Sequence, residues 1–250
     1  MTLMHDHPTA GHPGQDETLR RMQEKYWWPK MKSWITDYMK GCATCQQNKI
    51  LTHWQKTPVY WISSQTGTLP FQSIAMDLIT GLPERHGHNA ILTIVDQGCS
   101  CAAVFLPCNT TITGAGIAQL YFDNIVWWFG ILKRIISDRD SWFTSHFGKA
   151  LATKLGINQN LSIAFHPQTD GLLERKNQWV EQYLRLVTLA TPKDWDRWLM
   201  MASAVHNNQR NQTTRLSPNQ VLIRYDILLQ TPNDVKTNNA PVEQRIGIIN

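Results

Sequence analysis

Two sets of side chains in this sequence have the chemistry of metal ligands. Cys42 and Cys45 are two residues apart, a spacing that lets both thiolates bind one tetrahedral Zn2+, and His5, His7 and His12 stand upstream. His12 with either His5 or His7 would complete four ligands. Such a closed site leaves no position for water or substrate, so its role is structural. The second set is acidic. Asp77 interrupts the apolar run SIAMDLIT, Asp138 follows RIIS, and Glu174 is expected in the first turn of a long helix. Carboxylates converging from two strands and a helix can hold two Mg2+ ions. Two such ions, about 3.5–4 Å apart, would activate the attacking oxygen and stabilise the leaving oxygen of an in-line phosphodiester displacement. A water attacker cleaves the strand, and a DNA 3′-hydroxyl joins two strands. Each acid alone has a plainer reading: a turn or cap for Asp138, a helix N-terminal charge for Glu174, a solvent-facing strand position for Asp77. With 19 acids in 250 residues, the 35 residues between Asp138 and Glu174 carry meaning only through the combination.

These side chains need elements to position them. Over 16–40 two helical stripes appear, Leu19, Met22 and Tyr26, then Met31, Trp34, Ile35, Tyr38 and Met39, with Pro29 in the first turn of the second helix. A unit this small buries little, so a metal or a partner must hold it. Residues 1–50 are read as this zinc-binding module and 51–70 as a linker. Short apolar, β-branched runs predict strands over 74–80, 90–96 and 101–106. A helix over 113–129, a strand over 134–137, a helix over 144–155 and a strand over 159–164 follow. HPQTDG (166–171) reads as a loop, with Thr169 or Asp170 capping a helix over 172–190. Another helix is expected over 193–206, a short one from Pro218, and then an irregular tail. Three strands followed by alternating helix and strand make an α/β mixed sheet flanked by helices. This catalytic core is assigned to 71–190 and a helical extension with its tail to 191–250. Cys99, Cys101 and Cys108 are expected as packed thiols in strands.

The net charge of +5 and a pI near 9 favour a polyanionic partner, nucleic acid first. Five cysteines, two of them in the C-x2-C pair, fit a reduced compartment and a metal site better than a disulfide framework. The start of the chain lacks a signal-peptide pattern, and no apolar run is long enough to span a membrane, so a soluble intracellular protein is expected.

The segments HDHPTAGHPG, YWWPKM, CATCQQNK, MDLITGLP, IISDRD, FTSHF and above all HPQTDGLLERKNQ resemble the integrase region of Ty3/gypsy-type long-terminal-repeat retrotransposon polyproteins. The resemblance runs in order over most of the chain. It implies a structural Zn2+ on His5, His12, Cys42 and Cys45, selecting His5 over His7, and a ribonuclease H-like core. It also implies a D,D-35-E triad of Asp77, Asp138 and Glu174 holding Mg2+ or Mn2+. The implied activity is 3′-end processing and strand transfer into host DNA, by a homo-oligomer acting in the nucleus, although no targeting signal is evident. DNA is the implied partner, with RNA second. Arg175, Lys176, Asn177 and Gln178 are candidates for DNA contact, or else an ordinary solvated helix face. The chain departs from the family pattern at Asp140 and Arg224, where glycine is common, and shows no small carboxy-terminal β-barrel. A non-catalytic DNA-binding remnant or domesticated protein is therefore the alternative function. A ribonuclease H is a third, against which the zinc module argues.

Overall fold

The computed structural model describes residues 1–48, 69–137, 141–155, 162–164, 167–189, 192–211 and 214–229. The expected linker and tail, Asp138 and Asp140 lie almost wholly or wholly outside them. The amino-terminal module begins with a π-helical turn, Thr2–Asp6, followed by α1 (Gln15–Gln23), α2 (Met31–Gly41) and α3 (Ala43–Asn48). Its buried core is small, with Met22, Met31 and Ile35 at the centre. Pro29 stands in the turn before α2 rather than in its first turn, because Lys30 adopts a left-handed conformation (φ 59°) at the N-cap.

The core is built on β1 (Ser73–Ile79), β2 (Ala90–Asp96), β3 (Ala103–Cys108), β4 (Arg134–Ser137) and β5 (Ser162–Ala164). They form one sheet in the order β3-β2-β1-β4-β5. The first three strands pair antiparallel, whereas β4 joins β1 and β5 joins β4 in parallel. This is the mixed, ribonuclease H-like sheet expected from the sequence. The parallel pairing of β4 and β5 requires a crossover, which α6 (Ser141–Leu155) supplies.

Alternation along β1 sends Ile74 and Met76 to one face and Ala75, Asp77 and Ile79 to the other. The first face packs against α4 (Gly114–Tyr121) and α6 through Ile117, Tyr121, Phe147 and Leu151. The helix expected over 113–129 is α4, a π-helical turn at Phe122–Val126 and the single turn α5 (Trp127–Phe129). The opposite face packs against α7 (Pro167–Val187) and α8 (Leu199–Asn207) through Leu173, Val180, Tyr183, Leu199 and Val205. A 3-10 stretch, Pro192–Trp198, precedes α8, and α9 (Pro218–Ile223) starts with a capping box between Ser217 and Gln220.

β3 lies at the sheet edge, where unpaired backbone groups would invite another strand. Helix α8 covers it. Ser203 Oγ accepts from the Phe105 amide at 3.0 Å, and Asn207 both accepts from the Ala103 amide (2.8 Å) and donates to its carbonyl (3.0 Å). The cysteine expectation holds for Cys108, which is buried in β3, and fails for Cys99 and Cys101. Those two occupy the turn between β2 and β3, Cys99 exposed and Cys101 left-handed at φ 58°. There Asp96 accepts from the Gly98 and Ser100 amides, which fixes a turn where the apolar pattern suggested a longer strand.

Helix α7 begins at Pro167, five residues before the expected start. Proline fits the first turn, where its missing N–H is not needed. Thr169 and Asp170 therefore stand inside the helix and not at its cap, and Glu174 falls in its third turn rather than its first.

Candidate metal centres

Four side chains meet at the base of the amino-terminal module. His5 belongs to the opening π-helical turn, His12 follows the left-handed Gly11, and Cys42 and Cys45 bracket the start of α3. The consecutive positive φ angles of Gly11 (70°) and His12 (43°) turn the chain back, so that the His12 amide donates to the His5 carbonyl at 3.2 Å. The ligand atoms of His5, His12, Cys42 and Cys45 all lie within 4.8 Å of one another. His5 Nε2 and His12 Nδ1 are 3.4 Å apart, and Cys45 Sγ is 3.3 Å from the first and 3.5 Å from the second. Cys42 Sγ is 3.6 Å from His12 Nδ1.

A tetrahedral zinc with ordinary bond lengths has edges of about 3.4 Å between two nitrogens and about 3.5 Å between nitrogen and sulfur. His5, His12 and Cys45 therefore stand as three corners of such a tetrahedron, and Cys42, at the right distance from His12, is within reach of the fourth. His5 also has an outer partner: with Nε2 turned to the metal position, Nδ1 donates to Thr18 Oγ1 at 3.3 Å, and that hydroxyl donates to the Pro13 carbonyl at 3.4 Å. Such a relay fixes a ligand's tautomer and ring orientation. Nearby, the Tyr38 phenol donates to Asp6 at 2.6 Å, and burial followed by that carboxylate pushes its pKa well up. His7 is outside the group, with Nδ1 2.7 Å from Thr9 Oγ1.

The module is seated on the core. Tyr183 of α7 donates to the Pro8 carbonyl at 3.1 Å. A methyl group on Gly11 would come within 2.8 Å of Val205 of α8 and 3.4 Å of the Tyr183 ring. Tyr183 stacks on Trp179 at 5.3 Å, and His206 meets Trp179 at 4.6 Å, so one aromatic cluster supports the contact from below.

The second candidate centre lies between β1 and α7. Asp77 projects toward α7, where Asn177 donates to its Oδ2 at 2.5 Å, while its Oδ1 accepts from the Leu78 amide at 2.7 Å. Glu174 stands one turn before Asn177, is exposed, and accepts from Gln178 at 3.1 Å. Strand β4 ends at Ser137, which pairs with Met76, the neighbour of Asp77. Asp138 comes next in the chain and lies outside the described residues.

The four residues after Glu174 divide. Arg175 is exposed. Lys176 turns toward α8, donating to His206 Nε2 at 2.7 Å, and burial pushes its ammonium down to about 8. His206 is held well below the usual histidine range by burial and then by the Lys176 charge. Asn177 and Gln178 engage the two acids. His206 and the Asn177–Asp77 contact were not singled out in the sequence. A signal existed: Lys176 and Asn177 occupy the helical positions between Leu173 and Val180, on the stripe that faces the sheet.

Residues 1–50 match the integrase zinc binding domain family. The chain is 33% identical over 221 residues to the Transposon Tf2-3 and Tf2-4 polyproteins of Schizosaccharomyces pombe, a match that covers 88% of this chain and 16% of each polyprotein. Its fold resembles a chain of the simian T-cell lymphotropic virus intasome solved with the PP2A regulatory subunit B56 gamma. That likeness has a TM-score of 0.51 at 17% identity and covers 93% of this chain and 81% of the other. The zinc-domain match over residues 1–50 and the transposon relatives make this chain similar to the integrase region of such transposon polyproteins, of whose length it spans 16%.

Proposed function

We propose that this chain is a polynucleotidyl transferase that trims the 3′ ends of element DNA and joins them to host DNA. The observation that carries the reading is the position of Asp77: an acid on a central strand, directed at the helix that carries Glu174 and fixed there by Asn177. The donor set suits Mg2+ or Mn2+, since carboxylate oxygens are hard ligands. Asp77, Asp138 and Glu174 would hold the ions, which when bound activate the attacking oxygen and stabilise the leaving one.

The chain's own residues do the remaining work. The Leu78 amide and Asn177 each bond one oxygen of Asp77, so its carboxylate plane is set before any ligand arrives. Gln178 steadies Glu174 in the same way. Exposed Arg175 is available to a DNA phosphate, whereas the Lys176 amine is committed to His206. Burial of Lys176 and His206 makes them supports for the α7–α8 contact. We further propose DNA ends and target DNA as partners, a homo-oligomer as the working form and the nucleus as the place of action.

The test is a strand-transfer assay with Mg2+ or Mn2+ and a duplex oligonucleotide donor. Joined product from the wild-type chain, abolished in Asp77→Asn and Glu174→Gln, supports the proposal. Equal product from the variants removes it. DNA binding without any product would leave the alternative, a non-catalytic DNA-binding remnant.

A further inference from the structure

The zinc module carries an aromatic ladder whose ends are engaged, Trp28 against the buried core of the module and Tyr38 against His5 and Asp6, while its middle ring, Trp34, reaches solvent. Trp28 meets Trp34 edge-on at 5.6 Å, and Trp34 lies over Tyr38 at 5.7 Å with the planes 23° apart. The inward side of α2 is Met31 and Ile35, so this ladder runs beside the buried stripe toward solvent. Trp34 is 49% exposed and Trp27 is 75% exposed. Indole side chains are large apolar surfaces, and two of them outside the core of so small a module point to a ligand with flat apolar faces.

The charge around the ladder narrows the ligand. Lys25 and Lys30 are exposed and stand two and three residues from Trp27 in the chain, Lys30 one turn before Trp34, and neither has an ion pair among the described residues. Among the module's acids, Glu17 pairs with Arg20 and Arg21, Glu24 with Arg20 and Arg210, and Asp37 with Lys40; Asp6 accepts from Tyr38, and Asp16 is exposed at the start of α1. The surface therefore offers stacking faces together with two lysines that carry no ion pair among the described residues. Duplex DNA hides its base faces within the stack and presents only edges and phosphates. An unpaired strand presents both phosphates and base faces.

We propose that Trp27, Trp34 and Lys30 form a stacking platform for single-stranded nucleic acid, separate from the carboxylate site at which DNA joining is proposed. Bases would stack on the two indoles, and Lys30 would contact the backbone between them. The platform goes beyond the joining reaction, because it takes an unpaired strand and uses none of the acids.

The experiment measures anisotropy of labelled oligothymidylate and of a blunt duplex against the full zinc-loaded chain. Trp34→Ala and Trp27→Ala should each weaken oligothymidylate binding about tenfold and leave duplex binding unchanged. Trp34→Tyr should restore most of the affinity, and Lys30→Ala should reduce the slope of log affinity against log salt by about 0.7. Zinc content and helicity identify a variant that has not folded, and should Trp34→Ala fail in that way, the more exposed Trp27→Ala decides. Unchanged oligothymidylate affinity, or equal losses for single strand and duplex, overturns the proposal. Loss of self-association by sedimentation with oligothymidylate binding intact also overturns it and assigns the face to a second copy of the chain.

Discussion

Replacing Gly11 with alanine should loosen the zinc module from the core without touching a zinc ligand. Two effects add at this position. Its φ of 70° lies in the left-handed region, which costs an L-residue with a Cβ about 1–2 kcal/mol. The new methyl would also stand 2.8 Å from Val205 Cγ1 and 3.4 Å from the Tyr183 ring, both held in the packed face of α7 and α8. Overpacking of that kind costs about 1–3 kcal/mol. The expected loss is therefore about 2–5 kcal/mol, concentrated in the contact between module and core. Gly41→Ala is the control, since nothing lies within 4 Å of a Cβ there and its φ is not positive. Denaturant unfolding measures the loss, and amide hydrogen exchange locates it. In Gly11→Ala, protection should fall in α1 to α3 while β1 to β3 keep theirs. If Gly11→Ala unfolds at the wild-type denaturant concentration with unchanged exchange, the seating of Gly11 against Val205 is wrong.

Zinc removal should act on the same module by another route. With only Met22, Met31 and Ile35 at its centre, the module should lose the helicity of α1 to α3 on chelation while the sheet persists, seen by circular dichroism and amide exchange. Unchanged helicity would show that the ligand cluster does not hold the fold. His206 supplies a pH dependence. Its folded pKa lies below the free value of 6.5, so the unfolded chain binds the proton first, and stability present above about pH 6.5 should fall on acidification below it. The slope is about 1.4 kcal/mol per pH unit for one proton, and His206→Gln should lose it in denaturant titrations at pH 7.5 and 5.5. An identical slope in the variant would refute the assignment. Asn177→Ala should lower the strand-transfer rate about tenfold or more, because it removes a hydrogen bond to a charged carboxylate. A wild-type rate would show that Asp77 needs no such support.

Much of this was legible in the chain because it depends on local pattern. The strands show themselves as β-branched apolar runs, and Cys42-x2-Cys45 with two upstream histidines announces a zinc site before any geometry is known. Asp77 was conspicuous because a carboxylate interrupts such a run. The start of α7 was not legible: HPQTDG has turn composition, yet Pro167 opens the helix and Gly171 is carried inside it. Nor was the exposed turn at Cys99, which depends on Asp96 bonding back to Gly98 and Ser100. Lys176 beside Glu174 looks like a phosphate ligand in sequence. Only the packing of α8 against α7 turns it to His206, because a helix's charged edge can face solvent or a neighbour with equal local propensity.

The central claim is that acids from separate elements share divalent ions at the β1–α7 face. Anomalous diffraction from crystals soaked in Mn2+ tests it most directly. The expected result is a manganese peak within bonding distance of both Asp77 and Glu174, lost in Asp77→Asn. Manganese absent from that face, or bound by one of the two carboxylates and remote from the other, would contradict it.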